Sequence, residues 1–285
     1  MTVVVTGANG LLGAVTVREW RDRGHEVVAL TRAELDVTDG PRVADVIGRF
    51  SPSVVINCTA YNRVDDAEKE PSSALAVNAW AVRSLARAAA AAGAVFVHYS
   101  TDFVFDGEAD RPYTEDDAPN PQSHYAMSKL IGEWMAAPAG PAELERANYI
   151  LRVESLFGGA ASRSTIDTML QNFAAGRTVR AFRDRTVSPS HVADVARATC
   201  DLLERKAPGG IYHCVNTGMA TWLEIAERLR EWSGHPMATI EPVLTTDVVL
   251  KARRPRFCAL SNAKLLATGI TMPTWQEALR WHVAS

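Results

Sequence analysis

Tyr125-Ala-Met-Ser-Lys129 sets a phenol and an ammonium four residues apart, so on a helix both project from one face. A phenol with a reference pKa of about 10 is a poor proton donor or base at neutral pH. A positive charge beside it favours the phenolate and lowers that value. Such a pair can give a proton to a carbonyl oxygen as hydride arrives, or take it back in the reverse direction. The spacing alone also fits a packed tyrosine and a solvated lysine. A third group strengthens the chemical reading: an apolar run ends in His98-Tyr-Ser-Thr-Asp102. A hydroxyl leaving the carboxyl end of a strand in an open α/β sheet sits at the ligand crevice. Thr101 is the expected hydrogen-bond partner of the reacting oxygen, with Ser100 as the alternative.

The hydride carrier is read from Gly7-Ala-Asn9-Gly10-Leu11-Leu12-Gly13, which follows the first strand and opens the first helix. Gly7 makes the tight turn, Gly10 lets backbone N–H groups approach a pyrophosphate, and Gly13 lets helix and strand touch. The helix N-terminus adds partial positive charge for the phosphates. A glycine triplet between a strand and a helix is the context that identifies a dinucleotide site. At the end of the second strand stand Thr31 and Arg32, where an NAD site usually places an acid. A hydroxyl and a cation suit a 2′-phosphate, so NADPH is favoured over NADH; the bland reading of Arg32 is a solvated surface residue. Asp36 and Val37 are expected along the adenine, and Tyr99 is counted with the cofactor residues.

The elements that must hold these groups show in the hydrophobic pattern. Nearly all-apolar strands are expected at 2–6, 26–30, 54–57, 95–99 and 149–152, alternating with helices at 11–23, 41–50, 72–92 and 125–136. That alternation predicts an α/β fold, a Rossmann-type doubly wound parallel sheet. Ala137-Pro-Ala-Gly-Pro-Ala142 is a breaker before the fifth strand. Helices at 164–174, 191–204, 221–232 and 275–283, with strands at 178–182 and 211–214, follow less regularly. The expected division is a dinucleotide-binding domain over 1–152 and, over 153–285, a region that completes the sheet and forms a smaller C-terminal substrate lobe.

The bulk properties are those of an ordinary globular protein of 285 residues with a formal net charge of −3. That charge gives no reason to expect nucleic acid or an anionic membrane as partner. Four scattered cysteines without a C-x-x-C pair, and histidines without ligand spacing, predict no metal. No apolar run reaches the roughly twenty residues of a bilayer span, and a cytoplasmic enzyme is the expectation.

Several further segments carry a resemblance. They are Leu35-Asp-Val-Thr-Asp39, Asn57 through Glu68, Ser100-Thr-Asp-Phe-Val-Phe-Asp-Gly107, Tyr125 through Glu133, Gly210-Ile-Tyr-His213, Thr221-Trp222 and Ala252-Arg-Arg-Pro255. With the glycine loop, they make the chain similar to the dTDP-4-dehydrorhamnose reductase family of extended short-chain dehydrogenases. The resemblance implies a triad of Thr101, Tyr125 and Lys129. It also implies that Ala60, Tyr61 and Asn62 lie against the cofactor, with Asn62 and Asp102 facing the substrate. The reaction it implies is reduction of the 4-keto group of a nucleotide-linked deoxysugar, with a homodimer left open.

Two segments depart from the family pattern. Glu154-Ser-Leu-Phe157 stands in place of Ser-Trp-Val-Tyr, so an aromatic surface is missing at Ser155, and 183–189 replaces a Gln-x-Gly-x-Pro-Thr loop. Losing a stacking contact costs on the order of 1 kcal/mol, enough to expect a different keto-substrate. Glu154, Arg183 and Arg185 are either readers of its polar groups or paired loop charges. Arg253-Arg254 is either a diphosphate clamp or a surface pair. The competing functions are an epimerase or dehydratase of the same superfamily, a reductase of a non-sugar ketone, and a non-catalytic dinucleotide-binding regulatory subunit.

Overall fold

Valine-rich strands buried on both faces pair only with helices above and below them, and the chain alternates accordingly. The computed structural model describes residues 1–137, 148–160 and 164–284; positions 138–142 of the expected breaker lie outside them. Strands β1 (Thr2–Thr6), β2 (Glu26–Leu30), β3 (Val54–Asn57), β4 (Val95–Thr101), β5 (Tyr149–Val153) and β10 (Gly210–His213) form one sheet of order β10-β5-β4-β3-β1-β2. All its pairings are parallel. This is the Rossmann-type sheet expected from sequence. The order reverses between β1 and β3, which opens the ligand crevice at their carboxyl ends.

The two cores follow strand alternation. Val3, Val5 and Ile56 pack on one face with helices α1 (Leu11–Asp22) and α8 (Val192–Glu204). Val4 and Val55 pack on the other with α2 (Gly40–Phe50) and α5 (Ala81–Ala91). A third cluster, around Phe157, Met169, Trp222 and Leu279, belongs to the chain after β5.

The helix expected over 72–92 is interrupted. Pro71–Leu75 and Ala81–Ala91 are α-helical, but Ala76–Trp80 between them is a π-helix. Such widened turns concentrate at functional sites. This one turns the buried Asn78 toward two neighbours: its side chain bonds both backbone groups of Tyr61 (2.8 and 3.0 Å) and the Ser128 hydroxyl (2.9 Å).

Helix α6 (His124–Ala136) is started by Ser123, whose hydroxyl accepts from the Ala126 N–H. Glu68 reaches across to the same end and accepts from the His124 backbone N–H at 2.9 Å. At the other end Glu133 takes a two-pronged bond from Arg152 of β5 (2.9 and 2.8 Å), with both side chains 2% exposed. Gly132 is packed so closely that an added Cβ would lie 2.1 Å from the Asn78 carbonyl oxygen.

Breaking a buried ion pair by removing one partner costs about 3–5 kcal/mol. Glu133→Ala should lower the unfolding free energy by that amount in urea titrations. A loss below about 1 kcal/mol would show that the pair behaves like a surface one.

Candidate active site

The crevice is built on close backbone approach. Gly7 has φ +70°, and a Cβ there would lie 2.9 Å from the Cys58 carbonyl. A Cβ on Gly13 would lie 2.2 Å from the Gly7 oxygen. Gly10 is the N-cap of α1 and has no side chain to satisfy the first-turn N–H groups, which leaves them for an anion.

Two cavities meet here. One, of about 420 Å³, is walled by Gly7, Asn9, Gly10, Arg32, Asp36, Val37, Tyr61 and Asn62. The second, of about 560 Å³, shares Gly10, Cys58, Thr59, Ala60 and Asn62 with it. It adds Leu11, Leu12, Tyr99, Thr101, Asp102, Tyr125, Lys129, Ser155 and Arg185. An elongated dinucleotide matches two cavities joined at a helix N-terminus.

Two sequence-derived residues stand apart. Gly13 works through packing and lines neither cavity. Thr31 also lines neither: its N–H and hydroxyl both donate to the exposed Glu34 carboxylate at 2.7 Å. Tyr99 contributes backbone only, because its hydroxyl is bonded to Thr199 at 2.8 Å inside the core. Cys58 and Thr59 escaped the sequence reading, although they leave a strand end by the rule that located Thr101.

Lys129 is 2% exposed. Its ammonium donates to the Tyr99 carbonyl at 2.5 Å and lies 3.4 Å from His98 Nε2. The imidazole is oriented by Asn57, whose Oδ1 accepts from the Thr59 N–H and the Thr6 hydroxyl. Asn57 Nδ2 therefore donates to His98 Nδ1 at 3.1 Å, and Nε2 carries the hydrogen of the neutral ring. Burial, then the Lys129 charge, hold His98 well below its ordinary pKa. Burial also brings Lys129 down to about 8.

Tyr125 corrects an expectation. Burial, followed by the Asp102 charge, pushes its phenol up to about 12, and hydrogen bonding with Thr101 opposes the rise. The Lys129 ammonium is turned to Tyr99 and His98 instead of depressing the phenol. The neutral phenol that a ketone reduction must start from is thereby secured.

The substrate end is richer than Ser155 alone suggested. Phe103 meets Tyr125 edge-on at 5.9 Å, and the Arg185 guanidinium lies 5.4 Å from the Phe103 ring centre. Phe103 and Trp222 supply aromatic wall. Ser155 lines the cavity in a left-handed conformation, φ +42°. Arg183 is exposed and does not line it. Arg253 and Arg254 face the carboxylates of Glu108 and Asp65 (3.0 and 2.9 Å), which is the surface-pair reading. Asp102, Glu154 and Cys258 bring one ligand-type atom each within 4.8 Å of the others. Burial keeps the Cys258 thiol protonated, and Arg185 adds positive charge; both disfavour a cation.

The comparisons agree with this geometry. Residues 1–285 match the RmlD substrate binding domain family. A dTDP-4-dehydrorhamnose reductase of Streptomyces griseus is 36% identical over 281 residues, covering 97% of this chain and 91% of that protein. The chain belongs to the dTDP-4-dehydrorhamnose reductase-like family of extended short-chain dehydrogenases. The crystal structure of a Clostridium acetobutylicum dTDP-4-dehydrorhamnose reductase superposes with a TM-score of 0.93, at 32% identity and coverage of 100% and 99%. That of the Bacillus anthracis enzyme in complex with NADP gives 0.92, at 30% identity and coverage of 99% and 98%. This reductase-like chain is accordingly an oxidoreductase of the CH–OH/C=O class that works with a nicotinamide cofactor. Among the described residues no helix is long and apolar enough to cross a membrane.

Gly13→Ala should abolish dinucleotide binding in a fluorescence titration, because its methyl group meets backbone that cannot yield. Gly48 in α2 is the control, with nothing within 4 Å of an added Cβ. Gly48→Ala should bind normally and gain about 0.5–1 kcal/mol of stability. Normal cofactor binding by Gly13→Ala would refute the close-approach account.

Proposed function

We propose that the protein is an NADPH-dependent reductase of the 4-keto group of a dTDP-linked 6-deoxysugar. The observation that carries this reading is the convergence of Thr101, Tyr125 and Lys129 on a cavity that shares its wall with the glycine-loop cavity. Residues 1–152 hold the dinucleotide through Gly7, Asn9, Gly10, Leu11, Leu12, Asp36, Val37 and 60–62, with Arg32 toward the 2′-phosphate. Residues 153–285 supply the substrate wall through Ser155, Arg185 and Trp222.

When bound, the nicotinamide supplies the hydride. Tyr125 donates its phenolic proton to the carbonyl oxygen, and Thr101 positions that oxygen. Lys129, anchored on the Tyr99 carbonyl in the same cavity wall, would hold the nicotinamide ribose with its charge. Asn62 faces the sugar from the side of β3.

The purified protein should oxidise NADPH when given a dTDP-4-keto-6-deoxysugar. Tyr125→Phe should lower turnover about 10²–10⁴-fold with NADPH affinity unchanged. No turnover by the wild type with any such sugar would end the substrate assignment. Arg32→Ala should weaken NADPH roughly tenfold, the worth of one charged hydrogen bond, and leave NADH unaffected; equal effects on both would remove the 2′-phosphate reading.

A pH profile separates the two ionisable groups. kcat/KM for NADPH should fall as the pH rises through about 8, where Lys129 loses its proton. Tyr125 does not contribute to that limb, since its phenol stays protonated to about 12. A profile flat across pH 7–9 would show that the Lys129 charge is not required.

A further inference from the structure

Glu154 follows β5 immediately and occupies the position where the family pattern has serine. It is 2% exposed and lines the substrate end of the cavity beside Asp102, which is 4% exposed. One oxygen of each carboxyl is engaged within the protein. Asp102 Oδ1 accepts from the Thr101 hydroxyl at 2.9 Å, and Glu154 Oε2 accepts from the Ser188 N–H at 2.6 Å. Of the remaining oxygens, Glu154 Oε1 has no hydrogen-bond partner, and Asp102 has only the Cys258 thiol beside it.

A buried polar atom left without a partner costs about 1–3 kcal/mol. Glu154 Oε1, on a residue that lines the cavity, is a standing demand for a donor that a ligand can meet. The charged and titratable groups facing the pair are Arg185, Cys258 and Tyr125. Burial pushes Asp102 up to about 6 and Glu154 well above the carboxylate range, each opposed by Arg185. The two buried carboxyls disfavour each other's charge. Arg185 offsets what charge they carry, so the cluster does not call for an ammonium or a metal ion. What suits it is a neutral group that donates and accepts together, which is a hydroxyl.

We propose that Glu154, paired with Asp102, is a specificity-determining residue that hydrogen-bonds the sugar hydroxyl flanking the reacting carbonyl. The position follows from the chain: Asp102 adjoins Thr101 and is bonded to its hydroxyl. Polar recognition by Glu154 thus stands next to Ser155, where the family's aromatic surface is missing. A site built to bond a hydroxyl rejects the analogue lacking it, because its own buried groups are then left unpaired. This inference rests on the keto-sugar reductase reading and is tested apart from it by measuring binding instead of turnover.

The full-length protein, saturated with NADP, is titrated calorimetrically with a dTDP-linked 6-deoxyhexose and with its 3-deoxy counterpart. The wild type should bind the hydroxylated ligand about 10- to 100-fold more tightly. Glu154→Ala should erase that preference by weakening the hydroxylated ligand alone, with NADP affinity unchanged. Glu154→Gln keeps the acceptor for the Ser188 N–H and one donor in place. It should retain at least part of the preference, and it carries the test where the alanine variant does not fold. Equal weakening of both ligands by Glu154→Ala, wild-type preference in Glu154→Ala, no preference in Glu154→Gln, or none in the wild type would overturn the proposal. Preference without turnover would instead overturn only the reductase reading. Binding of neither ligand would overturn both.

Discussion

A buried ion pair between Arg152 and Glu133 fixes the helix on which the chemistry rests. Tyr125, Lys129 and Glu133 follow one another at intervals of four, so they occupy one face of α6. Glu133 is bound to the fifth strand by two hydrogen bonds. Lys129 is bound to the fourth through the Tyr99 carbonyl. Tyr125, one turn before Lys129, is thereby held at the cavity that both residues line. Gly132 lets this helix lie against the Asn78 carbonyl, and Glu68 and Ser123 hold its first turn. Arg152 also lies 5.0 Å from the Phe105 ring centre, so the strand that receives the helix is itself tied to the loop leaving Thr101.

The same burial that makes the pair expensive to break sets the protonation states in the cavity. It keeps Tyr125 a neutral phenol, makes His98 neutral and brings Lys129 to about 8. Each shift has the sign expected from loss of water around the charged form. Lys129 retains one strong acceptor, the Tyr99 carbonyl, and the neutral His98 beside it does not compensate its charge.

The sheet was legible because strands buried on both faces leave little choice of residue: Thr2–Thr6, Glu26–Leu30 and Val54–Asn57 fall where the apolar runs predict. The carboxyl-edge rule likewise located Thr101, and helical spacing located Tyr125 and Lys129. The π-helix at Ala76–Trp80 was not legible. Every residue in it tolerates an α-helix, and the widening is imposed by Asn78 bonding Tyr61 and Ser128, 17 and 50 residues distant. The bond of Asn57 to His98, 41 residues distant, escaped for a related reason. Spacing reports which residues share a face, while the orientation of an amide or hydroxyl depends on partners brought by the fold.

The two ends of the crevice solve different problems. In the proposed reading the cofactor end is contacted by backbone: a glycine loop, a helix N-terminus and the strand exits at Cys58 and Tyr99. Such contacts depend on the fold more than on side-chain identity, which is why their motifs match the family closely. In the same reading the substrate end is recognised by side chains on short strands and loops, where Glu154, Ser155 and Arg185 each replace a family residue without disturbing the sheet. Ser155 tolerates its left-handed backbone at modest cost, and Phe103 and Trp222 keep an aromatic wall beside it. A change of sugar substituent can therefore be met by altering this wall alone, while Tyr125 and Lys129 remain fixed by the ion pair at the far end of their helix.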